Sequence, residues 1–231
     1  MRIGIAYDLR REQESIPDRP DDVLEEYDSD ATVDAIAAAL HNAGHEAALW
    51  GGGLKFLECA LAARTGHAPV DLVFNIAEGR GSRSREAHVP AVCEMLGLPC
   101  TGSDPLSRAL CLDKALTKRI AASHGVPTAA FCLVESADLI DSAAFPPLPA
   151  IAKLNAEGSS IGVRRNARCT TREALTDRVR GLLADYRASV LVEQFIEGVE
   201  VTVGVLGTGS RARVVGTMEI APRRVSDQPF V

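Results

Sequence analysis

The sequence predicts a mixed α/β chain with a parallel-sheet unit first, a small α+β unit next and the start of a further sheet last. Three patterns predict it. Residues 1–76 alternate strand, helix, strand, helix, strand, the order that builds a parallel sheet with helical crossovers. Residues 128–185 read strand, short helix, strand, loop, strand, helix. Residues 190–221 read as three strands, two of them joined by a hairpin. The corresponding division is 1–103, 104–189 and 190–231.

Met1 to Asp8 is an apolar strand ending in a polar turn, too short and too soon polar for a signal peptide. Leu9 to Asp28 is charged, contains Pro17 and Pro20, and reads as a loop long enough to be mobile or functional. Ser29 or Asp30 caps a helix through about Ala43, with Val33, Ile36, Ala37 and Leu40 on one face and Gly44 as its stop. His45 to Trp50 is a strand, Leu54 to Arg64 a helix, and Val70 to Ile76 the third strand. Functional groups of a parallel sheet gather at the carboxyl ends of its strands. That points to Asp8 to Arg10 and Asn75 to Arg80, with Asp8 and Glu78 as candidate substrate contacts. Nothing after the first strand resembles G-x-G-x-x-G, so no dinucleotide site of that kind is expected.

Ser84 to Leu96 reads as a helix that Pro90 kinks or restarts. Gly97 to Ser103 is a short strand and turn, and Asp104 to Leu110 a brief helix. Asp113 caps a helix from Lys114 to Ser123. Lys114 opposes the helix dipole there, which fits either a solvated lysine or one facing a bound phosphate.

Thr128 to Glu135 is a strand, Ser136 to Ser142 a short helix and Phe145 to Pro149 a turn. An apolar run then delivers Lys153, a turn Glu157-Gly158-Ser159-Ser160 follows, and Ile161 to Val163 reads as a returning strand. Gly158 is expected to supply backbone freedom. The stretch is either an ordinary hairpin with a polar tip or a polyphosphate loop, in which oriented N–H donors and a lysine face the ligand. Thr171 to Asp185 is amphipathic, with Leu175, Val179, Leu182 and Leu183 inside. Val190 to Gln194, Val199 to Leu206 and Arg211 to Ala221 are strands, the last two joined at Gly207 to Ser210, and Arg223 to Pro229 is polar. Glu193 and Glu200 bracket a turn and read either as facing one cleft or as two exposed strand-end carboxylates.

Composition narrows the function classes. Hydrophobic residues are 46% and charged residues 24%, ordinary for a globular protein. A formal net charge of -6 and a pI of about 5.4 argue against nucleic acid or an anionic membrane as the main partner. No apolar run approaches the roughly 20 residues of a membrane span. The six cysteines form no C-x-x-C pair and sit beside no histidine cluster, so neither zinc nor disulfide is expected. Since most sit in apolar surroundings, they read as buried free thiols in a reducing cytosol.

Several motifs occur in order: F-N-I-A-E-G at Phe74 to Gly79, Thr101-Gly102-Ser103, L-D-K at Leu112 to Lys114, Lys153, E-G-S-S-I-G-V at Glu157 to Val163, and E-Q-F-I-E-G-V-E at Glu193 to Glu200. Together they resemble the D-alanine–D-alanine ligase family of ATP-grasp enzymes, over essentially the whole chain. The resemblance implies a Rossmann-like first domain, a small ATP-grasp lid domain and a C-terminal sheet domain. It implies Lys114 and Lys153 on the ATP phosphates, with Glu157, Gly158, Ser159 and Ser160 over the γ-phosphate. Ser159 would also help orient substrate, Glu193, Gln194, Phe195 and Ile196 would line adenine, and Glu200 would bind the ribose. It further implies ATP, Mg2+ and D-alanine as ligands, an acyl-phosphate reaction serving peptidoglycan synthesis in the cytoplasm, and a homodimer.

Four departures keep other readings open. Leu154 stands where the family usually has proline, Gln194 where lysine is frequent, and F-N-I-A-E-G replaces a histidine-glycine version. Another ATP-grasp carboxylate–amine ligase therefore stays in view. The family's magnesium carboxylates are expected beyond Val231, since only Glu219 and Asp227 are acidic after Glu200, so these 231 residues alone are expected not to complete the reaction. A nucleotide-binding module without catalysis is the third reading.

Overall fold

The computed structural model describes residues 1–13, 18–163 and 167–221. Pro17 and the polar stretch Arg223 to Pro229 lie outside the described residues.

β1 (Arg2–Ala6) is the middle strand of a parallel sheet of order β2-β1-β3, with β2 at Glu46–Leu49 and β3 at Leu72–Asn75. Arg2 pairs with Glu46 and Ile3 with Leu72. A central strand is covered on both faces, so Ile3, Ile5 and Ala6 are all buried. α1 (Asp30–Asn42) lays Val33, Ile36, Ala37 and Leu40 against Ile5, Tyr7 and Leu9. The Ser29 hydroxyl starts it by accepting the Thr32 N–H at 3.2 Å. α2 (Gly53–Arg64) and α3 (His88–Leu96) cover the other face with Phe56, Ala60, Val89 and Cys93. Pro90 sits in the first turn of α3, where its missing N–H breaks no helical bond. The helix restarts there after a 3-10 turn at Arg85–Ala87. α4 (Pro105–Leu112) and α5 (Lys114–Ser123) meet at Asp113.

The second sheet is antiparallel, of order β4-β7-β5-β6, with β4 at Phe131–Val134, β5 at Ala150–Leu154, β6 at Arg168–Cys169 and β7 at Val190–Gln194. α6 (Arg172–Tyr186) packs Leu175, Val179, Leu182 and Tyr186 onto one face, against Ala150, Ala152, Leu154, Val190 and Val192. Strand side chains alternate, so the opposite face carries Phe131, Ile151, Lys153, Leu191 and Glu193. β8 (Glu200–Leu206) and β9 (Arg213–Ile220) form a hairpin whose residues are all exposed.

Four expectations change. Ile161 to Val163 is a turn, not a strand: Ile161 N–H bonds to the Gly158 carbonyl and Val163 N–H to that of Ser160, which curls the chain away from β5. The strand that returns to β5 is Arg168–Cys169. Val190 to Gln194, grouped by sequence with the last segment, is inserted between β4 and β5 and shares their core. Ser136 to Ser142 contains only a 3-10 turn at Ala137–Leu139. Of the cysteines, Cys93 and Cys169 are buried, Cys59, Cys100 and Cys132 are half-buried, and Cys111 is exposed, against the expectation of burial.

Candidate functional site

The polar face of the second sheet meets the N-terminal half of α5. Lys114 and Lys118 are one helical turn apart and therefore lie on one side of that helix. Lys153, on β5, forms an ion pair with Glu193 Oε1. Lys118 reaches Glu193 Oε2 at 3.0 Å, donates to the Thr128 hydroxyl at 2.7 Å and lies over the Phe131 ring at 5.2 Å. Ile151, not Lys153, is opposite Glu193 in the register, so the Lys153–Glu193 contact is a diagonal one that long side chains span. Burial by itself raises the Glu193 carboxyl, but the hydrogen bonds and charges of Lys153 and Lys118 outweigh it and hold it below the usual carboxylate range.

Lys114 turns back toward the loop after β5, donating to the carbonyl of Glu157 and, at 3.5 Å, to that of Asn155. Burial lowers its ammonium, and the charge of Lys153 lowers it further. Carbonyl dipoles thus solvate a lysine kept at a helix N-terminus and oppose the repulsion of the second cation. Asn155 fixes the arrangement. Its buried amide donates to Asp113 Oδ1 at 3.0 Å and accepts the Ala115 N–H at 2.9 Å, while its carbonyl accepts the Lys114 N–H at 3.1 Å. Asp113 also accepts the Leu116 N–H, so the end of β5 and the start of α5 are one hydrogen-bonded unit.

The glycine-serine loop has a different geometry from the one expected. Gly158 is not in the left-handed region; Ser159 (φ 45°), Ser160 (φ 59°) and Gly162 (φ 73°) are. Left-handed serines cost roughly 1 kcal/mol each. The two hydroxyls end up exposed at the tip. Gly158 is needed for another reason: a Cβ there would overlap Glu26 Oε1, which accepts its N–H at 3.1 Å. The Gly162 N–H goes to Asp22 at 3.0 Å, and Tyr186 also donates to Asp22, at 2.7 Å. Asp22 and Glu26, from the charged segment after β1, therefore form a strap across the loop.

Arg85 ties the strap to the loop. Its buried guanidinium bonds Glu26 at 2.6 Å, Glu157 at 3.0 Å and the Ala156 carbonyl at 2.9 Å. Glu157 thus faces Arg85. Burial raises its carboxyl, with Arg85 opposing and Glu26 reinforcing the rise. These groups border a cavity of about 440 Å³ that Arg19, Tyr27 and Arg83 also line.

At the strand ends of the first sheet, Asp8 accepts the Gly79 N–H at 2.9 Å, joining the two stretches picked out there. Glu78 lies with Glu26 and Glu86, their nearest oxygens within 4.8 Å of one another. Burial, then the charges of Glu26 and Glu86, push the Glu78 carboxyl up to about 7. Among the described residues this is the one group of three such side chains close enough to share a metal ion. Glu26 is bound by Arg85 and Glu86 by Arg108 at 3.4 Å, so these carboxylates do not fit a magnesium site.

Lys114, Lys153 and Glu193 are brought together, with the Glu157 to Ser160 loop beside them. Gln194 and Phe195 leave β7 by backbone bonds to Ala130 and Pro149, and Ile196 is exposed. Glu200 is exposed on the hairpin, and among the described residues no bond joins it to Glu193. Sequence reasoning passed over Lys118, although its i+4 spacing from Lys114 was readable. It also passed over Asn155, Arg85, Asp22 and Glu26, whose partners lie 40 to 140 positions away in the chain and are brought near only by the fold.

Comparison with known proteins adds to this geometry. A family profile described as "D-ala D-ala ligase C-terminus" matches residues 120–226. A curated D-alanine–D-alanine ligase from Bordetella pertussis is 39% identical over 186 residues, covering 80% of this chain and 55% of that one. The solved D-alanyl-alanine synthetase A from Vibrio cholerae superposes with a TM-score of 0.70 at 17% identity, covering 97% of this chain and 68% of that one. The Bacillus anthracis D-alanine–D-alanine ligase complexed with ATP superposes with a TM-score of 0.56 at 18% identity, covering 96% and 71%. At such identities the two structures speak for the fold. The chain spans about half the length of the curated relatives it matches. Among the described residues no helix is long and apolar enough to cross a membrane. In sequence the chain is similar to D-alanine–D-alanine ligases, whose C-terminal family profile matches residues 120–226, and it shares the fold of the solved members.

Proposed function

We propose that this protein is an ATP-dependent ligase that joins two D-alanines for peptidoglycan synthesis. The observation that carries the reading is the convergence of Lys114 and Lys153, from a helix and a strand, beside a loop whose tip exposes Ser159 and Ser160. We read the chain as three units: residues 1–103, a lid unit that begins at 104 and takes in β7 as far as Gln194, since β7 shares its core, and the residues that follow to 231.

In this reading Lys114 and Lys153 exchange their carbonyl and carboxylate partners for phosphate oxygens, where point charges are worth more. Ser159 and Ser160 offer hydroxyls to the γ-phosphate, and Ser159 also orients substrate. Glu193 accepts from the base, with the backbone of Gln194, Phe195 and Ile196 beside it. Glu200 takes the ribose hydroxyls, as a pure acceptor suits two O–H donors. The first D-alanine's carboxylate takes the γ-phosphoryl group of ATP and releases ADP. The second D-alanine's amine then attacks the acyl carbon of the resulting acyl phosphate, forming the peptide bond and expelling inorganic phosphate. The strap and loop keep water from that mixed anhydride.

A second reading, ligation of a different amino or hydroxy acid, is favoured by the cavity lined by Arg19, Arg83, Arg85 and Glu26, which is large and bears both charges. The test is phosphate release from ATP with magnesium chloride and a panel of amino and hydroxy acids. Release that needs D-alanine and disappears in Lys153→Ala is expected. Release with another acid and none with D-alanine overturns the substrate, and no ATP binding at all overturns the ligase reading.

A further inference from the structure

Glu193 is held by two cations at once, and the ligase reading asks one of them to leave. When Lys153 turns to a phosphate, Glu193 keeps one cation, Lys118. The Glu193 side chain is only 15% exposed and that of Lys118 only 13%. A carboxylate left alone at such a depth loses its charge or its position, because burial penalises an unpaired anion. Lys118 is well placed to prevent this. Its ammonium lies over the Phe131 ring and donates to the Thr128 hydroxyl as well as to Glu193 Oε2, and α5 is anchored to β5 through Asn155. Lys153, 26% exposed and held through Oε1, is the freer of the pair.

We propose that Lys118 is a positioning residue that holds the Glu193 carboxylate as a fixed acceptor and so makes the site select an adenine over a guanine nucleotide. The reasoning follows donor and acceptor inventory. An ionised carboxylate only accepts. The 6-amino group of adenine donates to it, whereas the 6-keto oxygen of guanine meets it lone pair to lone pair. With Lys118 on Oε2 and Lys153 turned to phosphate, Glu193 still has the lone pairs of Oε1 to offer. The proposal rests on the nucleotide reading above.

The test compares wild type, Lys118→Met and Lys118→Arg in binding of ATP and of GTP by calorimetry, and in the carboxyl titration of Glu193 by NMR without nucleotide. Lys118→Met is expected to lose about 10-fold or more in ATP affinity, with GTP binding little changed, the size of a lost hydrogen bond to a charged group. Lys118→Arg, which keeps the charge, is expected to retain the ATP preference. In the nucleotide-free protein, Glu193 is expected to titrate higher in Lys118→Met than in wild type. Equal loss for both nucleotides, or an unmoved Glu193 titration, overturns the proposal. If wild type binds neither nucleotide while the titration still moves, the nucleotide reading has failed and base selection fails with it, although the ion pair stands.

Discussion

The backbone N–H of Gly158 donates to the Glu26 carboxylate at 3.1 Å, across 132 positions of sequence. This bond is the centre of the strap that joins the first sheet's leading segment to the loop after β5. It also means that an anion, supplied by the protein itself, already occupies one of the N–H groups expected to meet phosphate. Asp22 does the same at Gly162.

Gly158→Ala and Glu26→Gln should therefore act on the same contact. A Cβ at 158 would displace the Glu26 carboxylate, and Gln keeps its shape while removing its charge. Each is expected to cost about 1–3 kcal/mol, the range for a lost bond to a charged group. The double variant should cost little more than the worse single one, since the two share one interaction. Urea unfolding of the four proteins measures this, and hydrogen exchange of residues 157–163 should quicken in all three variants. Fully additive costs would show that the contact is not shared.

Asn155→Ala removes the acceptor of the buried Ala115 N–H and the donor to Asp113. Destabilisation of about 1–3 kcal/mol is expected from the unsatisfied groups. Because the same residue ties α5 to β5, ATP affinity should fall further than in a surface control such as Ser142→Ala. Thermal unfolding and calorimetry separate the two effects.

Gly4→Ala tests the first sheet. The Trp50 ring lies on Gly4 so closely that a Cβ would sit 2.5 Å from Cε2. Overpacking of this kind costs about 1–3 kcal/mol. Trp50 is the only tryptophan, so its fluorescence should report a changed environment along with a lower unfolding midpoint.

Glu78 makes stability depend on pH. Its carboxyl is raised to about 7 in the folded protein by burial and by Glu26 and Glu86, above its ordinary value when unfolded. The folded state therefore holds the proton longer, and stability falls as pH rises from about 4.5 through 7. Glu78→Gln should flatten that fall and be the more stable protein at pH 8, by on the order of 1 kcal/mol given the group's partial exposure. Urea unfolding at pH 5 and pH 8 decides it, and parallel curves for the two proteins would count against the raised carboxyl.

Elements set by neighbours in sequence were legible. Ser29, Asp104, Asp113 and Thr171 mark helix starts because a short side chain meets an N–H three positions on. The spacing of Leu175, Val179 and Leu182 fixes the buried face of α6, and the alternation of strands and helices fixes a parallel first sheet. Lys114, Lys153, Glu193 and the Glu157 to Ser160 turn were likewise readable, since each stands in a short motif. Tertiary structure decided what these groups touch. That Ile161 to Val163 turns rather than pairs depends on Asp22, and that Glu157 faces Arg85 rather than open solvent depends on the approach of the 3-10 turn at Arg85–Ala87. The same holds for β7: its own residues specify a strand, but only packing placed it between β4 and β5, where Glu193 comes between Lys118 and Lys153. The division follows from range. Capping and periodicity act over a few residues and are written locally, whereas ion pairs and buried amides join positions dozens of residues apart, and their partners exist only once the chain has folded.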